Sequence, residues 1–164
     1  IVDETKLVEK EIVSAVSYSK NESKLTISGI PDKPGISAAI FGLLASKNIN
    51  VDMIVQNISQ DGVTANLTFT VPNNEIETAK LALKSNHDKI KYKSLKTNQN
   101  VSKISVIGMG MMSQSGVAQK MFKTLADNSI NILAISTSEI KISVLIEEKH
   151  ANIAVKSLHE AYNL

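Results

Sequence analysis

The segment 31–35, Pro-Asp-Lys-Pro-Gly, carries residue types that could bind a free amino acid. It is dense in turn formers, and the apolar spacing after it predicts a helix from residue 36. Backbone N–H groups at a helix start have no intrahelical acceptor and carry partial positive charge, so the amides of Gly35, Ile36 and Ser37 suit a carboxylate. Asp32 could receive an ammonium group beside them. The residues alone leave two interpretations open: an amino-acid site, or a plain turn that Asp32 caps.

A second loop of this kind precedes a helix predicted at 115–128, where Gly116, Val117 and Ala118 stand near the helix start. The stretch 108–113, Gly-Met-Gly-Met-Met-Ser, follows a predicted strand as a dinucleotide-binding loop would. However, the third glycine of that fingerprint is missing, and no acidic residue closes such a unit. Nucleotide binding is therefore disfavoured, and the methionines are more typical of core packing.

Residues for catalysis or metal binding are poorly grouped. The three histidines lie apart in predicted loop or helix positions: His87, His150 and His159. None has a carboxylate at metal-ligand spacing. The acidic pair Glu147-Glu148 is adjacent in sequence, so on a strand its side chains point in different directions. We expect no catalytic residue, no metal site and no cofactor in this chain.

Composition excludes further classes of function. The 164 residues include no cysteine, which rules out disulfides, thiolate metal sites and cysteine nucleophiles. All 18 basic residues are lysine, and the net charge of +2 is too small for a nucleic-acid footprint. No apolar run approaches the roughly 20 residues of a membrane span. We therefore expect a cytoplasmic protein with neither a nucleic-acid nor a membrane partner.

The elements that position these loops form an internal repeat. Two segments match at an offset of 81 residues, and they share apolar spacing, a glycine and an asparagine. The aligned pairs are Gly35 with Gly116, Ile36 with Val117, Ile40 with Met121, Phe41 with Phe122, Leu44 with Leu125, Ala45 with Ala126, Ile49 with Ile130, and Asn50 with Asn131. Upstream, Gly29 aligns with Gly108 at an offset of 79, so the second loop is two residues longer.

The first copy alternates between strand and helix patterns. Its predicted elements are a strand at 24–30, a helix from 36, strands at 51–58 and 63–71 joined by a turn at 60–62, a helix opened by 72–74, and a strand at 90–96. The order βαββαβ is the split βαβ arrangement of ferredoxin-like folds.

The second copy lacks its last strand. Its predicted elements are strands at 102–108, 131–137 and 140–147 and helices at 115–128 and 150–162. Residues 11–19 are strand-like and precede the first copy, and a missing edge strand would leave an unpaired ladder. We hypothesise that 11–19 supplies this strand. The fold class is then α+β, with two ferredoxin-like domains, the first inserted in the second, and antiparallel sheets with helices on one face.

Four stretches resemble a known family. Residues 29–35, Gly-Ile-Pro-Asp-Lys-Pro-Gly, and 50–57, Asn-Val-Asp-Met-Ile-Val-Gln-Asn, resemble the first ACT domain of bacterial aspartate kinases. Residues 116–118, Gly-Val-Ala, and 135–146, Ile-Ser-Thr-Ser-Glu-Ile-Lys-Ile-Ser-Val-Leu-Ile, are similar to the second. The resemblance covers about residues 12–164, and no stretch is similar to the nucleotide- or aspartate-binding segment of the kinase.

The resemblance implies a regulatory C-terminal region or a separately made regulatory subunit. The first ACT domain would span 20–97, the second 11–19 with 98–164, and residues 1–11 would be a linker from the kinase domain. A start at Ile1 instead of Met fits a piece of a longer chain. Aspartate kinase forms aspartyl phosphate with ATP and Mg²⁺, which would belong to the absent kinase domain, so this chain would not be an enzyme by itself.

The resemblance also implies feedback inhibition by threonine and/or lysine, in biosynthesis of the aspartate-family amino acids. It implies a homodimer through the ACT domains, with effectors held between one ACT domain and another and with the kinase domain or subunit as partner. The effector-contacting positions carried over are Asp32, Gly35, Ile36, Ser37 and Gln56, with Asn131 and Ile132 from the second repeat. Ser37 is often alanine in the family, so no side-chain role is assigned to it. A possible second site would comprise Met111, Ser113, Gly116, Val117, Ala118, Ser138 and Glu139.

Two other classes of function compete with this one. The chain could be a structural ACT dimerisation module without effector binding, although Asp32, Gly35, Gln56 and Asn131 are all retained. It could instead be an amino-acid-responsive regulator of another protein, such as a transcription factor. No helix-turn-helix segment or arginine supports that class.

Overall fold

The computed structural model describes residues 13–108 and 114–164. The chain divides into two compact units, one of residues 21–100 and one that joins residues 13–20 to residues 101–164. The first unit is therefore inserted in the second, as the sequence predicts. Both units are α+β with antiparallel sheets, and each has its own hydrophobic core.

The inserted unit follows the predicted βαββαβ order. Its elements are β1 (Ala15–Pro31), α1 (Ile36–Ser46), β2 (Asp52–Ile58), β3 (Thr64–Pro72), α2 (Ile76–Ser85), the four-residue α3 (His87–Ile90) and β4 (Ser94–Ile107). A 3₁₀ turn at Asn73–Glu75 leads into α2. The strands of this unit lie in the order β2-β3-β1-β4.

The core of the inserted unit comes from strand alternation on one side and helix periodicity on the other. Leu25 and Ile27 alternate along β1, and Ile40 and Leu44 lie four apart on α1, so each set points to one face. All four are fully buried. Phe69 of β3 meets Phe41 edge-on at 5.4 Å between ring centroids. The helices therefore cover one face of the sheet, as predicted.

The second unit repeats the arrangement with a borrowed strand. Its further elements are α4 (Gln114–Asp127), β5 (Ala134–Thr137), β6 (Lys141–Glu147), a 3₁₀ turn (Glu148–His150) and α5 (Ala151–Ala161). Its strand order is β1-β4-β6-β5. The Ser14 N–H donates to the Ile107 carbonyl at 2.7 Å, and the Ser102 hydroxyl donates to the Ser19 carbonyl at 2.7 Å. Residues 14–19 thus lie beside β4 where a fourth strand is required.

Several predicted element boundaries are wrong. The strands predicted at 11–19 and 24–30 are one continuous strand, β1, because Asn21 takes a left-handed φ of 61° that asparagine tolerates without ending the ladder. The strand predicted at 90–96 begins only at Ser94, because a helical turn buries Ile90 and closes at Lys91. That strand is continuous with the one predicted at 102–108.

The second repeat also departs from prediction at one strand. The strand predicted at 131–137 starts at Ala134, since the residues before it complete the exit from α4. There the Ile130 N–H donates to the Leu125 carbonyl at 2.9 Å. Helix α4 itself lies within one residue of its predicted ends, which is the ordinary scatter of helix boundaries. Among the residues described, no helix is long and apolar enough to cross a membrane.

Candidate functional site

A cavity opens in the inserted unit where β1 ends and α1 begins. It encloses about 240 Å³ of space between atoms, part of it open to solvent. Its lining residues are Ile30, Pro31, Asp32, Lys33, Ile36, Ser37, Gln56, Ala65 and Leu67. Four of the residues predicted for the effector site therefore lie together here: Asp32, Ile36, Ser37 and Gln56.

The start of α1 lies at this cavity, and Ile36 and Ser37 are among its lining residues. Gly35 is the residue before the helix, with a left-handed φ of 92°, and its carbonyl accepts the Ala39 N–H at 3.0 Å. Within the described chain, α1 has neither a side-chain cap nor an acidic residue in its first turn. The amides of Ile36 and Ser37 therefore form the positive end of the helix dipole, and no carboxylate in the first turn of α1 neutralises it.

The main chain of the loop is anchored while its charged side chains stay exposed. The Asp32 N–H donates to the Val63 carbonyl at 3.0 Å, and the Lys33 N–H donates to the Pro31 carbonyl at 3.1 Å. Asp32 and Lys33 are both exposed to solvent. The cavity lining thus includes one anionic and one cationic residue, adjacent in sequence, whose charges suit a zwitterionic ligand.

Gln56 is a polar residue on the apolar side of β2. It pairs across the ladder with Leu67, a core residue, so both side chains lie on the helix-covered face. The β2–β3 register shifts between Asp52 and Val55. Met53 lies within that irregular stretch with φ at 51°, and its N–H is held by the Asp52 carboxylate at 2.8 Å. The bulge therefore fixes which residues of β2 face the cavity.

Lys33 also lines the cavity and is not among the residues that the sequence predicts for the site. It lies between Asp32 and Pro34, which the sequence singles out for charge and for turn formation, so its position in the loop could have indicated that it lines the site. The apolar walls Ile30, Ala65 and Leu67 were also missed, because strand residues reach this cavity only through the pairing of β1 with β3.

The other predicted residues of the first site, Gly35, Asn131 and Ile132, are not among those that line this cavity. Asn131 and Ile132 belong to the second unit, between α4 and β5. Asn131 is exposed, and Ile132 is half-buried against the core of its own unit. Their contribution to an effector site stays a prediction.

The possible second site is only partly described. Met111 and Ser113 lie outside the described residues. Gly116 is the third residue of α4, not the residue before the helix. The remaining candidates are placed as follows: Val117 is buried in the core, Ala118 packs against that core, and Ser138 and Glu139 are exposed in the turn between β5 and β6.

Tyr162, just after α5, is anchored at the start of α4. Its hydroxyl donates to the Val117 carbonyl at 2.6 Å. Burial raises the pKa of this phenol, so the donating, neutral form is maintained. The Lys120 ammonium lies 5.5 Å from the Tyr162 ring centroid. This contact stabilises the packing of α4 on α5.

His87 is held in place by contacts with Tyr92. The His87 Nε2 lies 2.8 Å from the Tyr92 carbonyl, which can only accept, so that nitrogen donates. The two rings meet edge-on at 4.6 Å. Within residues 13–108 and 114–164, no group of three or more His, Asp or Glu residues is arranged to hold a metal ion.

Comparison with known proteins identifies the family of this fold. Residues 25–86 and 104–162 match the ACT domain family. The regulatory subunit of aspartate kinase from Thermus thermophilus, solved in a ligand-free form, has a TM-score of 0.81 and 33% identity over 92% of this chain and 98% of that one. This chain belongs to the ACT-domain regulatory regions of aspartate kinases. One matched ACT stretch falls in each unit, so the predicted fold class is confirmed.

Two further aspartate kinases are similar to these ACT domains. The aspartate kinase of Pseudomonas fluorescens (strain SBW25) is 45% identical over 163 residues, which are 99% of this chain and 39% of that kinase. A solved structure of aspartokinase alpha and beta subunits is 43% identical, with a TM-score of 0.84 over 93% of this chain and 99% of that one. The chain thus spans well under half of the full-length kinase that it matches.

Proposed function

We propose that this chain senses an end product of aspartate-family amino-acid biosynthesis, threonine and/or lysine, and transmits feedback inhibition to an aspartate kinase catalytic domain or subunit. The observation that carries the proposal is the cavity of the inserted unit. It combines the N-terminal amides of α1 with the side chains of Asp32 and Gln56.

The cavity offers a partner for each group of an amino acid. The effector carboxylate would lie at the amides of Ile36 and Ser37, where the helix dipole favours a negative charge. The Lys33 ammonium would add to this attraction. Asp32 would receive the effector ammonium group, and Gln56 would offer its amide to the effector side chain. Each pair of opposite charges would lose contacts with water and gain charge-assisted hydrogen bonds, which are stronger than hydrogen bonds between neutral groups.

A structural neighbour suggests which effectors to test. Aspartokinase III of E. coli, at 20% identity and a TM-score of 0.69, shares the fold and has been solved in complex with lysine and aspartate. Lysine is therefore one effector to test, and threonine is the other.

Inhibition requires that the effector bind one arrangement of the ACT domains better than another. A ligand shifts an equilibrium only by its differential affinity for the two states. We propose that a homodimer formed through the ACT domains provides these states, and that Asn131 and Ile132 of one ACT domain complete the site of another. The domain boundaries proposed are 20–97 for the first ACT domain and 11–19 with 98–164 for the second, in a cytoplasmic protein that lacks kinase activity of its own.

Calorimetric titration of the chain with threonine, lysine and valine tests the proposal. Valine has nearly the shape of threonine but lacks its hydroxyl, so it controls for non-specific filling of the cavity. We expect saturable heat with threonine or lysine and none with valine. A folded chain that gives no heat with either effector would instead be a structural dimerisation module. An assay for aspartyl phosphate with ATP, Mg²⁺ and aspartate should give no product.

A further inference from the structure

The backbone of β1 shifts register immediately before the cavity. β1 pairs with β3 up to Ile27 and resumes at Ile30, so Ser28 and Gly29 together lie opposite the single residue Asn66. Such a bulge redirects the residues that follow it. Those residues, 30–33, all line the cavity. The bulge is therefore the last irregularity of β1, and only two further paired residues, Ile30 and Pro31, separate it from Asp32.

The bulge is held by contacts on two sides. Gly29 has a φ of 70°, and its N–H donates to the Asn66 side-chain oxygen at 3.2 Å instead of to a ladder carbonyl. On the other side, the Lys93 N–H donates to the Ser28 carbonyl at 2.8 Å. A Cβ added at Gly29 would lie 2.6–2.7 Å from carbons of the Lys93 side chain. Only glycine fits this φ and this close approach.

Asn66 itself does not line the cavity. It lies between Ala65 and Leu67, which do line it, and successive strand residues point to opposite faces. The hydrogen bond to Gly29 is the contact that links the Asn66 side chain to the loop. Between Gly29 and α1 the chain is held by the pairing of Ile30 with Ala65 and of Pro31 with Thr64, and by the Asp32 N–H, which donates to the Val63 carbonyl.

We propose, given the amino-acid site argued above, that Asn66 is a positioning residue of that site. Its side-chain oxygen accepts the Gly29 N–H that the bulge removes from the ladder, and so sets the direction in which Asp32 and the start of α1 approach the effector. Without that acceptor, a partly buried N–H is unpaired and the bulge can relax. A binding constellation held even about 1 Å too loosely loses affinity, while the rest of the sheet remains paired.

Variants at position 66 separate this role from a general effect on the sheet. Asn66→Ala removes the acceptor, Asn66→Asp retains an oxygen at the same distance, and Asn66→Gln moves the oxygen away by one methylene. Asn57→Ala is the matched control, because Asn57 lies directly opposite Asn66 in the β2–β3 ladder. Each chain is titrated calorimetrically with threonine and with lysine, and exchange of the Gly29 amide hydrogen is followed by NMR.

We expect Asn66→Ala and Asn66→Gln to bind the effector about tenfold more weakly and to lose protection of the Gly29 amide. Asn66→Asp and Asn57→Ala should stay within about twofold of the wild type, the scale of a small energetic change. Equal binding by the wild type and Asn66→Ala would overturn the positioning role while leaving the proposed function intact. Weakening by Asn66→Asp as large as by Asn66→Ala would also overturn it. If Asn66→Ala fails to fold, the contrast between Asn66→Asp and Asn66→Gln decides in the same way.

Discussion

The two repeats share an element order but differ in regularity. In the second, β4 pairs with β6 without interruption from Val101 opposite Glu147 to Ile107 opposite Lys141. In the first, the strands on both sides of β3 are bulged. The aligned glycines Gly29 and Gly108 differ in their acceptors. The Gly108 N–H donates to the backbone carbonyl of Ile140 at 2.8 Å, whereas the Gly29 N–H donates to the side chain of Asn66.

This difference distinguishes the strand pairing that is sufficient for the fold from the register shifts that accompany the cavity. The β4–β6 and β5–β6 ladders of the second repeat show that these pairings build a core without a register shift. In the first repeat, the register shifts lie on the two strands beside β3, next to the cavity. Bulges recur beside functional sites because they redirect side chains. The first repeat is therefore where we place the effector, and the predictions below test that asymmetry.

The largest expected effect is a loss of stability on truncating a core leucine, and it should be equal in the two repeats. Leu44 and Leu125 are aligned at the repeat offset, and both are fully buried. Leu44→Ala and Leu125→Ala should each lower the free energy of unfolding by about 2–5 kcal/mol, from lost apolar burial and the cavity left behind. Chemical denaturation measures this, with the exposed Leu81→Ala as control. A small loss at only one of the two would mean that the cores are not equivalent.

Removal of a polar side chain should weaken effector binding when it is made in the first repeat and not when it is made in the second. Asp32→Ala should weaken binding by about 1–3 kcal/mol, because the effector ammonium loses its partner, and Gln56→Ala should weaken it in the same range. Glu139→Ala, at the exposed turn of the second repeat, should leave calorimetric binding unchanged. The reverse pattern would place the effector in the second repeat.

The aligned glycines should respond to alanine with opposite signs. Gly35 has a φ of 92°, so Gly35→Ala should lower the free energy of unfolding by about 1–2 kcal/mol through left-handed strain. Gly116 lies within α4 without left-handed φ, and nothing lies within 4 Å of an added Cβ. Gly116→Ala should therefore stabilise the chain by roughly 0.5–1 kcal/mol. Thermal unfolding of both variants checks this, and equal signs would contradict it.

The smallest effect concerns the hairpin turn of the first repeat. The Asp61 carboxylate accepts the Val63 and Thr64 N–H groups at 2.9 Å each, and these bonds lower its pKa. Since the pKa is lower in the folded state, this stabilisation is present above the unfolded pKa and is lost as the pH falls through the folded pKa. Asp61→Asn should reduce the acid dependence of the melting temperature.

An NMR titration of the Asp61 carboxyl carbon gives the direction of the shift directly. A pKa at or above the ordinary aspartate value would contradict the role of these bonds. The turn of the second repeat has a backbone bond instead, from the Ser138 N–H to the Lys141 carbonyl at 2.8 Å.

The sequence by itself determined the repeat, the element order and the class of fold. These follow from local patterns: apolar periodicity, turn residues, and glycines at matched positions. It also singled out Asp32, the start of α1 and Gln56, because the loop and helix start are contiguous in sequence and Gln56 lies in a stretch that resembles the family.

Only the tertiary structure decided which residues share the cavity and how its loop is held. Asn66 contacts Gly29 across 37 residues of sequence, and no periodicity records that pairing. The continuity of β1 and β4 was likewise hidden, because left-handed asparagines within a strand resemble the ends of strands. Local preference specifies elements, whereas register between strands depends on packing of residues far apart in the chain.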